Sequence, residues 1–282
     1  MIAVYRTRKP LISRRVLLVA LSETPQQHMQ RCTCRVIAID TLHPTDNDEI
    51  PVISLCDLPA ERWPGEESSG SGWYRMFAGF AALMLVTVLV GLLLNNRDGA
   101  RNVRGWDGSV ARWIADHRPS WLSQIAGVAS LAGSAAVLIT GALVTGILVW
   151  RRTQRSGPSL LPLLALADTQ VVVQVAKRIV ARPRPARLLA STQFDGYAWP
   201  SGHAASATAV AVSAALIVAA LGCSAAVRRR VRWAAGLVAA SVAISRIVLG
   251  AHWTTDVVMG MVVGAAVAAL LAGPLLADQS GE

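Results

Sequence analysis

Four cysteines in 282 residues are too few and too scattered for a disulfide framework or a spaced zinc site. Cys32 and Cys34 form a lone C-x-C with no matching second half, and Cys56 and Cys223 stand apart. Aromatic residues are scarce too, at 5%. Ala, Val and Leu therefore carry a hydrophobic share of 53% and a mean hydropathy of +0.45. This excludes an ordinary soluble domain with an aromatic-rich core and points to membrane-spanning helices. Acidic residues are also in short supply: 17 Asp and Glu face 27 Lys and Arg, for a net charge of +10. Such a balance can mean nucleic acid, but here the arginines cluster beside apolar runs rather than along one soluble face. The partners implied are membrane lipids and an anionic substrate, with no nucleic acid.

Residues 1–72 differ from the rest, hold most of the acidic side chains and end in a linker-like Ser68 to Gly72. They are read as a cytoplasmic tail: a disordered extension, a small folded module, or translated sequence upstream of the true start. Arg14 and Arg15 precede a short apolar stretch, Val16 to Leu21, with no small-residue cleavage site after it, so a signal peptide is not expected. Six apolar segments follow, near 76–94, 125–150, 160–181, 204–223, 233–249 and 254–276. Each is long enough to be a spanning helix, within a membrane domain over 73–276 and ahead of a short tail at 277–282.

Orientation comes from the short loops. Arg151, Arg152 and Arg155 follow the second segment, and Arg228, Arg229, Arg230 and Arg232 follow the fourth, with no acidic residue in either cluster. The positive-inside rule places both loops, and both termini, in the cytoplasm. The loop between the first two segments carries arginines of its own, but Trp106, Trp113 and Trp121 mark it as interfacial helix.

Three blocks then fall at the outer ends of the spans. They are Lys177-(six residues)-Arg184-Pro185, Pro200-Ser201-Gly202-His203, and Ser245-Arg246-(five residues)-His252-(three residues)-Asp256. Cations, histidines and an aspartate are costly near hydrocarbon unless they serve a site or pair with one another. Lys177, Arg184 and Arg246 supply three cations from three helix ends or loops, and a guanidinium matches phosphate geometry. Pro200 to His203 opens a helix whose first free N–H groups suit an anion. His252 and Asp256, four apart, are expected on one helix face within hydrogen-bonding reach, where the carboxylate would orient the imidazole as a nucleophile. His203 is left for acid work on a leaving oxygen. Asp168, Gln170 and Gln174, within the third segment but outside the blocks, read as interhelical hydrogen-bonding residues.

The order, types and spacings of the blocks resemble the signature of the type 2 phosphatidic acid phosphatase (PAP2) superfamily, over roughly residues 95–270. The resemblance implies an all-α, polytopic membrane protein with six transmembrane helices and a PAP2/haloperoxidase-like bundle. It implies that Lys177, Arg184, Ser201, Gly202 and Arg246 bind phosphate. It further implies that His252 forms a phosphohistidine supported by Asp256, that His203 protonates the leaving group, and that no metal or other cofactor is needed. The expected function is hydrolysis of a lipid phosphate or diphosphate at the outer face of the bacterial plasma membrane, with polyprenyl diphosphate the first expectation. The alternatives are a phosphatidic acid or phosphatidylglycerol phosphate phosphatase, a lipid phosphotransferase using the same site, and a non-enzymatic lipid carrier.

Overall fold

The computed structural model describes residues 2–5, 16–19, 36–38, 69–96 and 101–277. Two compact units divide the chain, Met1–Glu67 and Ser68–Glu282. In the first, β1 (Ile2–Tyr5), β2 (Val16–Val19) and β3 (Val36–Ala38) form an antiparallel sheet in the order β1-β2-β3, with Tyr5 opposite Val16 and Leu17 opposite Ile37. The apolar stretch that begins at Val16 is thus partly strand. Cys32, Cys34 and Cys56 lie outside the described residues, while Cys223 is a free, half-buried thiol.

Every described element of the second unit is helical: α1 (Ser69–Asn95), α2 (Arg101–His117), α3 (Ser120–Leu131), α4 (Ala135–Thr153), α5 (Ser156–Val180), α6 (Gly202–Ala220), α7 (Ala225–Val248) and α8 (Thr254–Ala277), with one 3-10 turn at Arg187–Leu189. Six of them are long and apolar enough to cross a bilayer: Trp73–Asn95, Ala135–Thr153, Ser156–Val180, Gly202–Ala220, Ala225–Val248 and Thr254–Leu276. In hydrocarbon a helix satisfies its own backbone, so an outer surface of Leu85, Leu89, Leu93, Leu143, Val171 and Val258 is what a bilayer requires. The chain is an integral membrane protein.

Two boundaries differ from expectation. Ser69 to Gly72 belong to the first turns of α1 rather than to a linker. The apolar segment 125–150 is two helices, not one span. Its polypeptide breaks at Ala132-Gly133-Ser134, where Ser134 caps α4 by accepting from the Val137 N–H. Hydropathy alone runs straight through such a break, because every residue on both sides is apolar or small.

Packing is densest where side chains are smallest, the rule for helices that gain nothing by leaving lipid. α6 packs against α8 and α7. Ala204, Ala205 and Ala209 of α6 are fully buried, and Gly260 of α8 meets α6 backbone directly. Trp199, just ahead of α6, is buried and donates its indole N–H to the Thr87 carbonyl at 3.0 Å, which pins the loop to α1. The Trp199–Pro200 peptide is cis. Because helices alternate in direction, the C-termini of α5 and α7 and the N-termini of α6 and α8 all lie at one end of the bundle. The three sequence blocks are carried on those four termini.

Candidate active site

A cavity of about 540 Å³ opens between these termini. Lys177, Arg184, Gly202, His203, Arg246 and His252 line its polar end, and Leu138, Ile139, Leu163 and Leu166 line its apolar side. Ser201 and Asp256, both 0% exposed, stand behind the wall. All eight residues singled out from the sequence therefore meet in one place.

Each arrives by a local reason. Lys177 sits in the last turn of α5, which ends where Ala181 takes a left-handed conformation (φ 50°). A cation in that position also faces the negative end of the helix dipole. Ser201 is the N-cap of α6, yet its hydroxyl makes no capping bond and has no partner at all. Its N–H donates instead to the Asp256 carbonyl at 2.9 Å, joining the first turn of α6 to that of α8. The N–H groups that follow at Gly202, His203 and Ala204 belong to the unbonded first turn and are aimed along the helix axis.

Arg184 lies in the connection after α5. Its Nε donates to the carbonyls of Asp195 and Gly196, both at 3.1 Å, and its Nη1 to the Ala251 carbonyl at 2.6 Å. That leaves Nη1 also 3.1 Å from His252 Nε2. Burial pulls this guanidinium below its ordinary range, and the carboxylates of Asp256 and Asp195 partly restore it. Arg246 donates from Nη1 to Ser130 Oγ at 2.5 Å, while its buried Nε has no partner. The ring of Phe194 takes Arg246 at 5.0 Å and Arg184 at 5.9 Å from its centroid, and so serves both cations. An anion that accepted from Ser201 Oγ and Arg246 Nε would satisfy groups that are otherwise costly to bury.

His252 and Asp256 do not share a helix. His252 lies in the five-residue turn before α8, with its N–H on the Arg246 carbonyl at 3.3 Å. Asp256 is the third residue of α8 and reaches back to accept from the Trp253 N–H at 2.9 Å, a capping arrangement at the helix start. Its second task brings Oδ2 to 3.6 Å from His252 Nδ1, longer than the hydrogen bond expected for an i, i+4 pair. Nδ1 is buried without another partner, so the proton belongs there, facing Asp256, and Nε2 carries the lone pair. Burial pushes His252 down to about 4; Asp256 opposes the shift, and Arg184 and Lys177 add to it. The ring is neutral at pH 7.

The nearest partner of Asp256 is another residue. Arg182 Nη1 donates to Asp256 Oδ1 at 2.5 Å, and its Nη2 donates to Asp107 Oδ2 at 2.9 Å. Neither Arg182, beside Arg184 and Arg187, nor Asp107, in an arginine-rich loop, is among the residues that the sequence marks for the site. Both are buried. Nothing in the sequence marks Ser130 or Phe194, which lie outside the blocks, and Gly133 reads there only as a small residue for close helix packing, whereas it lies against Val242 and His203. One signal was available: Arg182 lies inside the first block, two residues before Arg184.

Comparison with known proteins identifies the family. The PAP2 superfamily model matches residues 158–273. Phosphatidylglycerophosphatase B of Bacillus subtilis (strain 168) is 30% identical over 167 residues, covering 57% of this chain and 79% of the relative. The chain belongs to the PAP2 superfamily. Among solved structures, the first transmembrane PAP2 type phosphatidylglycerolphosphate phosphatase from Bacillus subtilis superposes with a TM-score of 0.60 at 24% identity, over 69% of this chain and 94% of that one. Aquifex aeolicus LpxE gives a TM-score of 0.46 at 24% identity, over 58% of this chain and 92% of that chain. The matched PAP2 segment begins inside α5 and ends inside α8, so it contains all three blocks but neither Asp107 nor Ser130.

Proposed function

We propose that this protein is a membrane lipid phosphatase that removes a terminal phosphate from a glycerophospholipid of the phosphatidylglycerol phosphate class. The observation that carries the reading is the divided cavity, with three cations and two histidines at one end and an aliphatic wall along its side. Such a lining suits a phosphate joined to a hydrocarbon tail. The choice of headgroup rests on the name of the Bacillus subtilis relative, which favours phosphatidylglycerol phosphate over polyprenyl diphosphate.

The reaction proceeds in two steps. His252 Nε2 attacks phosphorus, an N–P bond forms, and the P–O bond to the lipid breaks. His203 gives its proton to the departing alkoxide, releasing the lipid alcohol. Water then attacks phosphorus and gives its proton to His203, the N–P bond breaks, and orthophosphate leaves with both histidines restored. Lys177, Arg184, Arg246 and the free N–H groups of α6 hold the negative charge that grows on the equatorial oxygens. Asp256 stabilises the positive ring of the phosphohistidine. No metal is assigned a part. The site faces outward, because Arg151, Arg152 and Arg155 and the cluster Arg228 to Arg232 lie at the opposite ends of the spans.

The test is phosphate release by detergent-purified protein from phosphatidylglycerol phosphate, phosphatidic acid and polyprenyl diphosphate, with chelator present and His252→Ala in parallel. Release that is fastest from phosphatidylglycerol phosphate and absent in the variant is expected. Lipid phosphate consumed without equivalent free phosphate would reassign the protein as a phosphotransferase, and undiminished release in the variant would remove His252 as nucleophile.

A further inference from the structure

Asp107 is the buried residue of α2, a helix that otherwise presents Trp106 and Trp113 outward. At 1% exposure it makes three bonds, all to residues of other elements: Oδ2 accepts from Arg182 Nη2 at 2.9 Å and Thr255 Oγ1 at 2.6 Å, and Oδ1 accepts from the Thr255 N–H at 3.1 Å. Arg182, 4% exposed, lies between the rings of Trp199 and Trp253 and spans the gap to Asp256. Two carboxylates thus share one guanidinium in a dry setting. Within this trio the surplus is one negative charge; Arg184 and Lys177 act on it from further off, and the titratable ring beside it is His252. Burying an unbalanced charge is unfavourable unless something answers it, and a cationic imidazole beside Asp256 would do so.

We infer that Asp107 and Arg182 are positioning residues for the His252–Asp256 pair, setting how much of the Asp256 charge reaches the imidazole. The inference rests on reading His252 as the nucleophile. Arg182 draws the carboxylate away from Nδ1, which explains the 3.6 Å separation. Asp107 draws Arg182 in the other direction. The two substitutions therefore act on His252 with opposite sign. Removing the Arg182 charge leaves Asp256 to the imidazole and favours its protonated form. Removing the Asp107 charge commits Arg182 wholly to Asp256 and disfavours that form. The other charged and titratable groups that face His252 stay in place: Lys177 from α5, Arg184 from the following loop, His203 from α6 and Arg246 from α7.

The experiment is the pH–rate profile of full-length Arg182→Gln and Asp107→Asn, read with a short water-soluble phosphomonoester so that lipid seating does not intervene. The expected result is a kcat lower by about 10- to 100-fold, the size usual for the outer partner of a functional histidine. The acid limb should move up by roughly one pH unit in Arg182→Gln and down by a similar amount in Asp107→Asn. A purely structural tether would move both limbs alike or neither, and either result in folded protein overturns the inference. If the single variants do not fold, the charge-balanced pair Asp107→Asn with Arg182→Gln decides. Lowered kcat with the limb near its original place supports the inference, and unchanged kcat overturns it. Quenching wild type with labelled substrate separates the two readings. An acid-labile phosphoenzyme together with unmoved limbs sinks the positioning roles alone, whereas no phosphoenzyme sinks the nucleophile and the positioning roles with it.

Discussion

Gly260 of α8 lies so close to Ser201 that a Cβ there would sit 2.5 Å from the Ser201 carbonyl oxygen. The obstacle is backbone at the N-cap of α6, which cannot step aside as a side chain would. Gly260→Ala should therefore push α6 and α8 apart where Ser201 N–H meets the Asp256 carbonyl. We expect about 1–3 kcal/mol of destabilisation, typical of overpacking, seen as a lower Tm in detergent, and a larger fractional loss of phosphate release than of folded protein.

Gly133, in the break between α3 and α4, offers a milder version of the same test. A Cβ there would come within 2.5 Å of Val242 Cγ1 and 3.2 Å of His203 Cδ2. Both neighbours are side chains that can shift, so Gly133→Ala should fold. Its cost should fall on kcat, through a displaced His203, with KM for a soluble phosphomonoester nearly unchanged. Steady-state kinetics checks this directly.

Phe194 serves two guanidiniums at once. Phe194→Ala removes a cation–π surface worth on the order of 0.5–2 kcal/mol and frees Arg184 and Arg246 to wander. The expected outcome is a KM raised by about 3- to 10-fold, with weaker inhibition by orthophosphate, and Phe194→Leu should not restore either.

Acid should act on stability as well as on rate. His252 has a folded pKa of about 4 against an ordinary value of 6.5. In the unfolded chain it takes up a proton as pH falls below 6.5, while in the folded protein it does not until about 4. Stability is therefore greatest above pH 6.5 and is lost as pH falls through that window. His252→Phe, if folded, should show a smaller drop in Tm between pH 7 and pH 5 than wild type does. The rate of phosphoenzyme formation from free enzyme should fall with the same protonation, because only neutral Nε2 is a nucleophile.

Gln170 is expected to matter for packing and little for chemistry. Its Nε2 donates to Ser206 Oγ at 2.5 Å, linking α5 to α6 below the histidines. Gln170→Leu should cost about 0.5–1.5 kcal/mol, the range for interhelical bonds in membranes. Turnover of a soluble phosphomonoester should stay within a few-fold.

Composition and hydropathy made the six spans legible because a bilayer imposes a length and a polarity that few other settings do. The blocks made the polar end of the cavity legible, since Lys177, Arg184, Arg246 and the two histidines are too costly beside hydrocarbon to be incidental. Two kinds of information were not carried by pattern. The break at Gly133 involves no charged residue and only the small hydroxyl of Ser134, too little to interrupt the hydropathy. Spacing does not reveal the second partner of Asp256: four residues suggest a helical neighbour, whereas His252 lies ahead of the helix and Arg182 arrives from 74 residues away. Asp107 was further out of reach, since its role depends on a contact with Thr255, 148 residues on.

The arrangement of the blocks on helix ends also imposes a parity rule. Lys177 and Arg184 are separated from His203 by no span, and His203 from His252 by two, α6 and α7. Losing or gaining one span within that interval would carry part of the site to the opposite face and split it across the membrane. Changes in twos would leave it whole. Only spans added ahead of α1 are free of this restriction, because Asp107 of α2, Ser130 of α3 and Leu138 of α4 must reach the same face as the blocks. Evolutionary or engineered rearrangements of this protein should therefore concentrate ahead of α1, where an added helix inverts the enzyme without dismantling it.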